Sequence, residues 1–172
     1  VLEARIGATT LAASGEIDPE DAVLPAEGNL RLVSPDLSRF AALLGQPLAG
    51  RLELDLAGAA KLRGDAFDMT FDLDGTAVRS GIVALDRLIA GDLSVAGSAA
   101  LTAQALDLRY FKFNSPQLRA NVAGAGPGQP VNLSARLSDL ALLTDSISGP
   151  AEIRGTVTLN DRLARNVKGA LD

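Results

Sequence analysis

Phe67-Asp68-Met69-Thr70-Phe71-Asp72-Leu73-Asp74 alternates apolar and polar side chains without a fault. A period of two puts Phe67, Met69, Phe71 and Leu73 on one face of a strand, and Thr70 with the three aspartates on the other. The Asp74-Gly75 pair that follows reads as a turn. Outward from this stretch the same alternation returns. Upstream, Leu52, Leu54 and Leu56 share a face, with Arg51, Glu53 and Asp55 opposite. Downstream come strands over 93–95 (Leu93, Val95) and 99–103, then one carrying Leu118, Ala120 and Val122. Val131, Leu133, Ala135 and Leu137 alternate with Asn132, Ser134, Arg136 and Ser138, and Ile153, Val157 and Leu159 end the pattern. Over 106–113 the apolar parity changes between Tyr110 and Phe111, which in a strand implies a bulge.

Three short apolar segments enter strands through a hydrophobe, a small residue and glycine: Leu48-Ala49-Gly50, Ile89-Ala90-Gly91 and Ile147-Ser148-Gly149. Helical spacing precedes the first, at Leu37, Phe40, Ala41 and Leu44. Ser34 is placed to cap that helix, with Pro35 at its first position and Asp36 at the positive dipole end, and Gly45 and Pro47 stop it. Ile82, Leu85, Leu88 and Ile89 suit a second short helix, and the Asp-Leu opening recurs at Asp139-Leu140. The fold class is therefore mainly β: a repetitive, elongated sheet with two or three short helices, whose units bury one face by stacking on their neighbours. Residues 1–28 are the least regular, strand-like over 4–7 and with a solvated acidic turn at Asp18-Pro19-Glu20-Asp21; residues 29–172 are strand-rich. No internal linker divides 1–172, so it reads as a single fragment of a repetitive domain. The start at Val1 and the strand-like residues 166–172 point to a slice of a longer protein, with any membrane anchor outside it.

Composition narrows the chemistry. Apolar residues reach 47%, yet aromatics are 3% and the net charge is -5, the opposite of a basic groove lined with stacking platforms, so nucleic acid is not the partner. No window approaches the roughly 20 apolar residues of a spanning helix. Without histidine or cysteine there is no imidazole acid, base or ligand, no thiolate and no disulfide. The carboxylates that remain, Asp68, Asp72 and Asp74, alternate with apolar residues as a solvated outer face does. We expect no enzyme, no metal and no cofactor. Setting Gly75 at the glycine of a calcium loop puts Thr70 and Gly81 where acids belong, so that motif fails. Asn132-Leu133-Ser134 is a glycosylation triplet inside a strand, and the glycines of 124–128 open no helix and have no lysine. The apolar helix at 37–44 has only Ser38 and Arg39 on its polar side and should pack over a sheet end.

The run Ser34-Pro35-Asp36-Leu37-Ser38-Arg39-Phe40-Ala41-Ala42-Leu43-Leu44-Gly45-Gln46-Pro47-Leu48-Ala49-Gly50-Arg51-Leu52-Glu53-Leu54 resembles the TamB family of AsmA-like envelope proteins. So do Leu85-Asp86-Arg87-Leu88-Ile89-Ala90-Gly91 and residues 135–143 running into Ile147-Ser148-Gly149-Pro150. The resemblance covers most of the chain from about residue 29. It implies a periplasmic protein of a Gram-negative bacterium, anchored in the inner membrane by a segment absent here. Its body would be a β-taco, a sheet folded lengthwise into a half-pipe with an apolar interior. It further implies phospholipid transport between the membranes, with phospholipid acyl chains as cargo, and partnership through the full-length protein with a TamA-like outer-membrane barrel in autotransporter assembly. On that reading the lipid-facing wall is Leu52, Leu54, Leu56, Phe67, Met69, Phe71, Leu73, Leu93, Val95, Leu133, Ile153 and Val157. Alternation alone is shared by an open gutter and a closed sandwich. An assembly chaperone that receives client β-strands, or a structural β-solenoid with a packed core, stand as the alternatives.

Overall fold

In a computed structural model the described residues are 1–21, 24–61, 66–102, 106–124, 126, 129–144, 146–158 and 168–171. They form one antiparallel sheet of eleven strands in the order of the chain. The strands are β1 (Leu2–Ile6), β2 (Thr9–Ile17), β3 (Pro25–Ser34), β4 (Ala49–Lys61), β5 (Ala66–Arg79), β6 (Asp92–Leu101), β7 (Leu106–Asn114), β8 (Leu118–Gly124), β9 (Pro130–Leu137), β10 (Ala151–Thr158) and β11 (Lys168–Leu171). Each pairs only with its neighbours in sequence, so the sheet is an open, curved meander of the taco-like kind.

Antiparallel pairing brings the ends of β1, β3, β5, β7 and β9 to one rim. Three of the connections there are helical: a 3-10 turn (Leu37–Phe40) running into α1 (Ala41–Leu44), α2 (Val83–Leu88), and a 3-10 turn (Leu140–Leu142). These are the three sequence repeats. Each is held by an aspartate. Asp36 accepts the Ser38 N–H at 2.9 Å and caps the first insert. Asp86 accepts from the Ser80 N–H at 2.6 Å and the Gly81 N–H at 3.2 Å. Asp139 ties the start of the third insert to its end, accepting from Ala141 N–H at 3.0 Å and Gly149 N–H at 2.7 Å. The glycine closing each copy has positive φ, +101° at Gly50, +98° at Gly91 and +112° at Gly149, a region L-residues avoid. At Gly50 a Cβ would also stand 2.6 Å from the Ala77 carbonyl oxygen.

Several sequence expectations change here. Ser34 is not the cap: it ends β3, fully buried, and shares a 3.1 Å hydrogen bond with Thr9. Asp74-Gly75 is not a turn, because β5 runs on to Arg79 and Gly75 lies between Leu52 and Leu93 in the ladder. The two strands expected over 93–103 are the single β6 as far as Leu101, and Ala103 lies outside the described residues. Residues 1–28 hold β1, β2 and the start of β3. Leu159, and Ala125, Pro127 and Gly128 of the glycine-rich loop, also lie outside the described residues. The first insert contacts β4 with Leu37, Phe40 and Ala41 half-buried, as a helix over a sheet end should. Among the described residues no helix is long and apolar enough to cross a membrane.

Candidate functional site

Cross-strand partners point to the same face, so the register carries one face from strand to strand. Leu52, Leu54 and Leu56 of β4 oppose Gly75, Leu73 and Phe71 of β5; Met69 and Phe67 stand opposite Gly58 and Ala60. Across β6, Leu73 meets Val95 and Gly75 meets Leu93, and Val95 in turn meets Phe113. On the far side Val122 opposes Leu133, which opposes Gly155, while Ala135 opposes Ile153 and Val131 opposes Val157. All twelve positions expected on the wall therefore stand on one apolar face. Leu30 and Leu32 of β3 extend it, paired with Leu56 and Leu54, as do Phe111, Phe113, Ala120 and Val122. These were missed as wall residues; the parity after the bulge, carried into β8, is the signal that finds the last four.

The bulge lies where β7 passes Ser98 and Ala99: Tyr110 opposes Ser98, Leu108 opposes Ala99, and Arg109 is the extra residue. Without it Tyr110 would have followed Leu106 and Leu108 onto the apolar face. With it, Phe111 and Phe113 take those places and Tyr110 joins the polar face.

Most of the apolar face is uncovered. Among the described residues the buried hydrophobic ones are Ile89, Leu93, Val131, Leu137 and, on the polar face, Ala100; Leu54, Leu56, Phe71 and Leu73 are half-buried and Ile153 is 49% exposed. Ile89 at 4%, Leu93 at 8% and Leu137 at 7% sit by the rim that carries the inserts. There Ser115 Oγ donates to the Leu88 carbonyl at 2.7 Å, binding the β7–β8 turn to the end of α2. Away from that rim no second layer packs on the face among the described residues. The accessible surface agrees: 11537 Å², against roughly 8000 Å² for a compact monomer of this mass. Within the face, Gly15, Gly28 and Gly58 align across three adjacent strands. They help floor an open groove of about 480 Å³, with Leu30, Leu56 and Met69 among its walls. Lacking side chains, that line of backbone leaves a furrow running across the strands.

The other face is polar and ion-paired. Asp68 receives both terminal nitrogens of Arg109, at 2.7 and 2.6 Å, and this hydrogen bonding holds its carboxyl below the usual carboxylate range. Arg31 binds Asp55 at 2.9 Å and Glu53 at 3.4 Å, and Glu53 also pairs with Arg51. Asp72 and Asp74 are exposed on the same face. The structure thus puts the aspartates of β5 on the opposite side of the sheet from the apolar wall. Among the described residues no group of three or more acids is placed to hold a metal ion.

What the site offers is a long apolar surface without directional contacts, half-open to solvent. No protein-family model, no curated protein and no solved structure matches the chain.

Proposed function

We propose that the chain is a segment of a periplasm-spanning apolar conduit of the TamB kind, along which phospholipid acyl chains move between the inner and outer membranes. The observation that carries this reading is the continuous apolar face, carried by register from β1 to β10 and left uncovered through its middle. Ten strands at about 4.8 Å spacing make a wall roughly 45 Å long measured along the sheet, longer than one lipid. Each methylene laid on such a wall gains up to about 0.8 kcal/mol, and alkyl walls impose no register on what slides along them. A periplasmic setting, an inner-membrane anchor elsewhere in the parent and a TamA-like barrel as partner complete the proposal. The test is mass spectrometry of lipid retained by the purified protein. Phospholipid recovered in stoichiometric amount, and lost on Leu54→Asp, supports the conduit; none recovered, with Leu54→Asp unfolding the chain, means a dry structural wall.

One observation favours a second reading. Among the described residues β1 pairs on one side only, all five of its residues are exposed, and it keeps the alternation of the sheet. Such an edge can accept a client strand by β-addition. A synthetic β-strand peptide protecting the amides of β1 from exchange, without displacing lipid, would favour the assembly chaperone.

A further inference from the structure

The polar face changes character across the sheet. On β4 and β5 it is acidic, and carboxylates even stand opposite one another, Asp55 with Asp72 and Glu53 with Asp74. On β7 to β10 it is basic. Arg119 opposes Arg136, Lys112 opposes Asn121, and Asn121 opposes Ser134, which opposes Arg154. Five cations there, Arg109, Lys112, Arg119, Arg136 and Arg154, meet two carboxylates, Asp107 and Glu152, in a chain whose net charge is -5; Arg109 is taken up by Asp68 and Asp107. Glu152 is already bound by Arg154 at 2.6 Å. Neither Arg119 nor Arg136 has an ion pair among the described residues, although like charges directly opposite on adjacent strands repel. An anion between them removes that repulsion.

We infer that this face of β7–β10 binds an acidic oligosaccharide, a site on the opposite side of the sheet from the apolar wall and independent of it. Charge complementarity sets the sign of the ligand, and the groups between the cations set its class. An open groove of about 810 Å³ adjoins the Arg119–Arg136 pair, too large for a single small anion; Asn121, Asn132, Ser134, Glu152, Arg154 and Thr156 line it, and Arg136 stands opposite the lining Glu152. Asn121 and Ser134 have no side-chain hydrogen bond among the described residues, so they present both donors and acceptors. A bare phosphate chain has no hydrogen to give those acceptors or Glu152; a sugar acid brings hydroxyls for them and carboxylates for the arginines. The bulge also places an aromatic ring on this face, outside the groove. It sets Tyr110 on this face beside the small Ala123, with Lys112 Nζ 5.7 Å above its ring, and Ala123 leads on to Asn132 and Thr156 in the ladder.

Tyr110 is the only tyrosine, and there is no tryptophan, so its intrinsic fluorescence reports on this face alone. The full chain is titrated with a galacturonic acid hexamer, and separately with the neutral maltohexaose, inorganic polyphosphate and phosphatidylglycerol vesicles. The galacturonate hexamer is expected to change Tyr110 emission saturably. Its affinity should fall at least about tenfold in the Arg119→Gln, Arg136→Gln double variant. The charge-matched Arg5→Gln, Lys61→Gln variant should stay within about twofold of the unaltered chain. Circular dichroism checks that both variants keep their strands. No response to the galacturonate hexamer, or equal loss in both variants, overturns the proposal. Equal or tighter binding of polyphosphate makes this a charge-only patch, and preference for vesicles makes it a membrane-facing one; either result also overturns it.

Discussion

Leu93 and Leu54 belong to the same apolar face and the same alternation, yet Leu93 is buried beside the helical inserts while Leu54, mid-strand, is half-exposed. The difference lies in what sits above them. Leu93 stands at the rim where Ser115 ties the end of α2 to the β7–β8 turn, and it is 8% exposed. Over Leu54 the described residues offer no cover. Alternation therefore determines which face is apolar, and burial gathers at its rims: beside the inserts at Ile89, Leu93 and Leu137, and at the far rim at Val131. A closed rim and an open middle suit a trough better than a sandwich.

The contrast is broken most forcefully at the covered end. Leu93→Asp leaves an unpaired charge where water does not reach and should cost about 3–5 kcal/mol, seen as a large fall in the denaturation midpoint. Gly149→Ala tests the inserts themselves. No heavy atom lies within 4 Å of the added Cβ, so the penalty is that of φ +112° alone, about 1–3 kcal/mol by chemical denaturation. In the open middle Leu54→Asp and Phe71→Arg should each cost under about 1.5 kcal/mol while abolishing lipid retention. If Leu54→Asp proves as damaging as Leu93→Asp, the middle is covered too and the trough is lost.

The smallest effect is electrostatic. The carboxyl of Asp139 is held below its ordinary value of 3.8 by the Ala141 N–H first and the Gly149 N–H second. A carboxylate with a depressed folded pKa lends its stability above the unfolded value and loses it as pH falls through the folded one. The third insert should thus be unaffected between about pH 5 and 7. Acidified below 3.8, its Ala141 and Gly149 amides should lose protection against hydrogen exchange. Asp139→Asn should flatten that pH dependence.

Much of this fold was legible because its signals are local. Phe67 to Leu73 set the face unaided, and the parity break at Tyr110 and Phe111 gave the bulge. The first and third helical inserts showed themselves through aspartate at one end and glycine at the other, the second through the helical spacing of Ile82, Leu85, Leu88 and Ile89 before Gly91. β2 did not: Thr9–Ile17 puts Leu11, Ala13, Gly15 and Ile17 on the apolar face against Thr10, Ala12, Ser14 and Glu16, a contrast flattened by small residues. Gly75 misled because an Asp-Gly pair suits a turn, whereas partners on both sides hold it in the ladder. The basic face was invisible for another reason. Lys112, Arg119, Arg136 and Arg154 belong to four strands, and only the register brings them together. The extent to which the wall is covered is likewise a property of tertiary packing, which alternation does not encode.

The central claim is that the middle of the apolar face receives acyl chains, and photocrosslinking tests it most directly. A photoreactive side chain is placed at Phe71, on the apolar face, and in a second sample at its neighbour Asp72, on the polar face. Irradiation of the protein in cells should give a phospholipid adduct from position 71 and none from position 72. Equal labelling from both positions, or no lipid adduct from position 71 in a folded protein, would contradict the account.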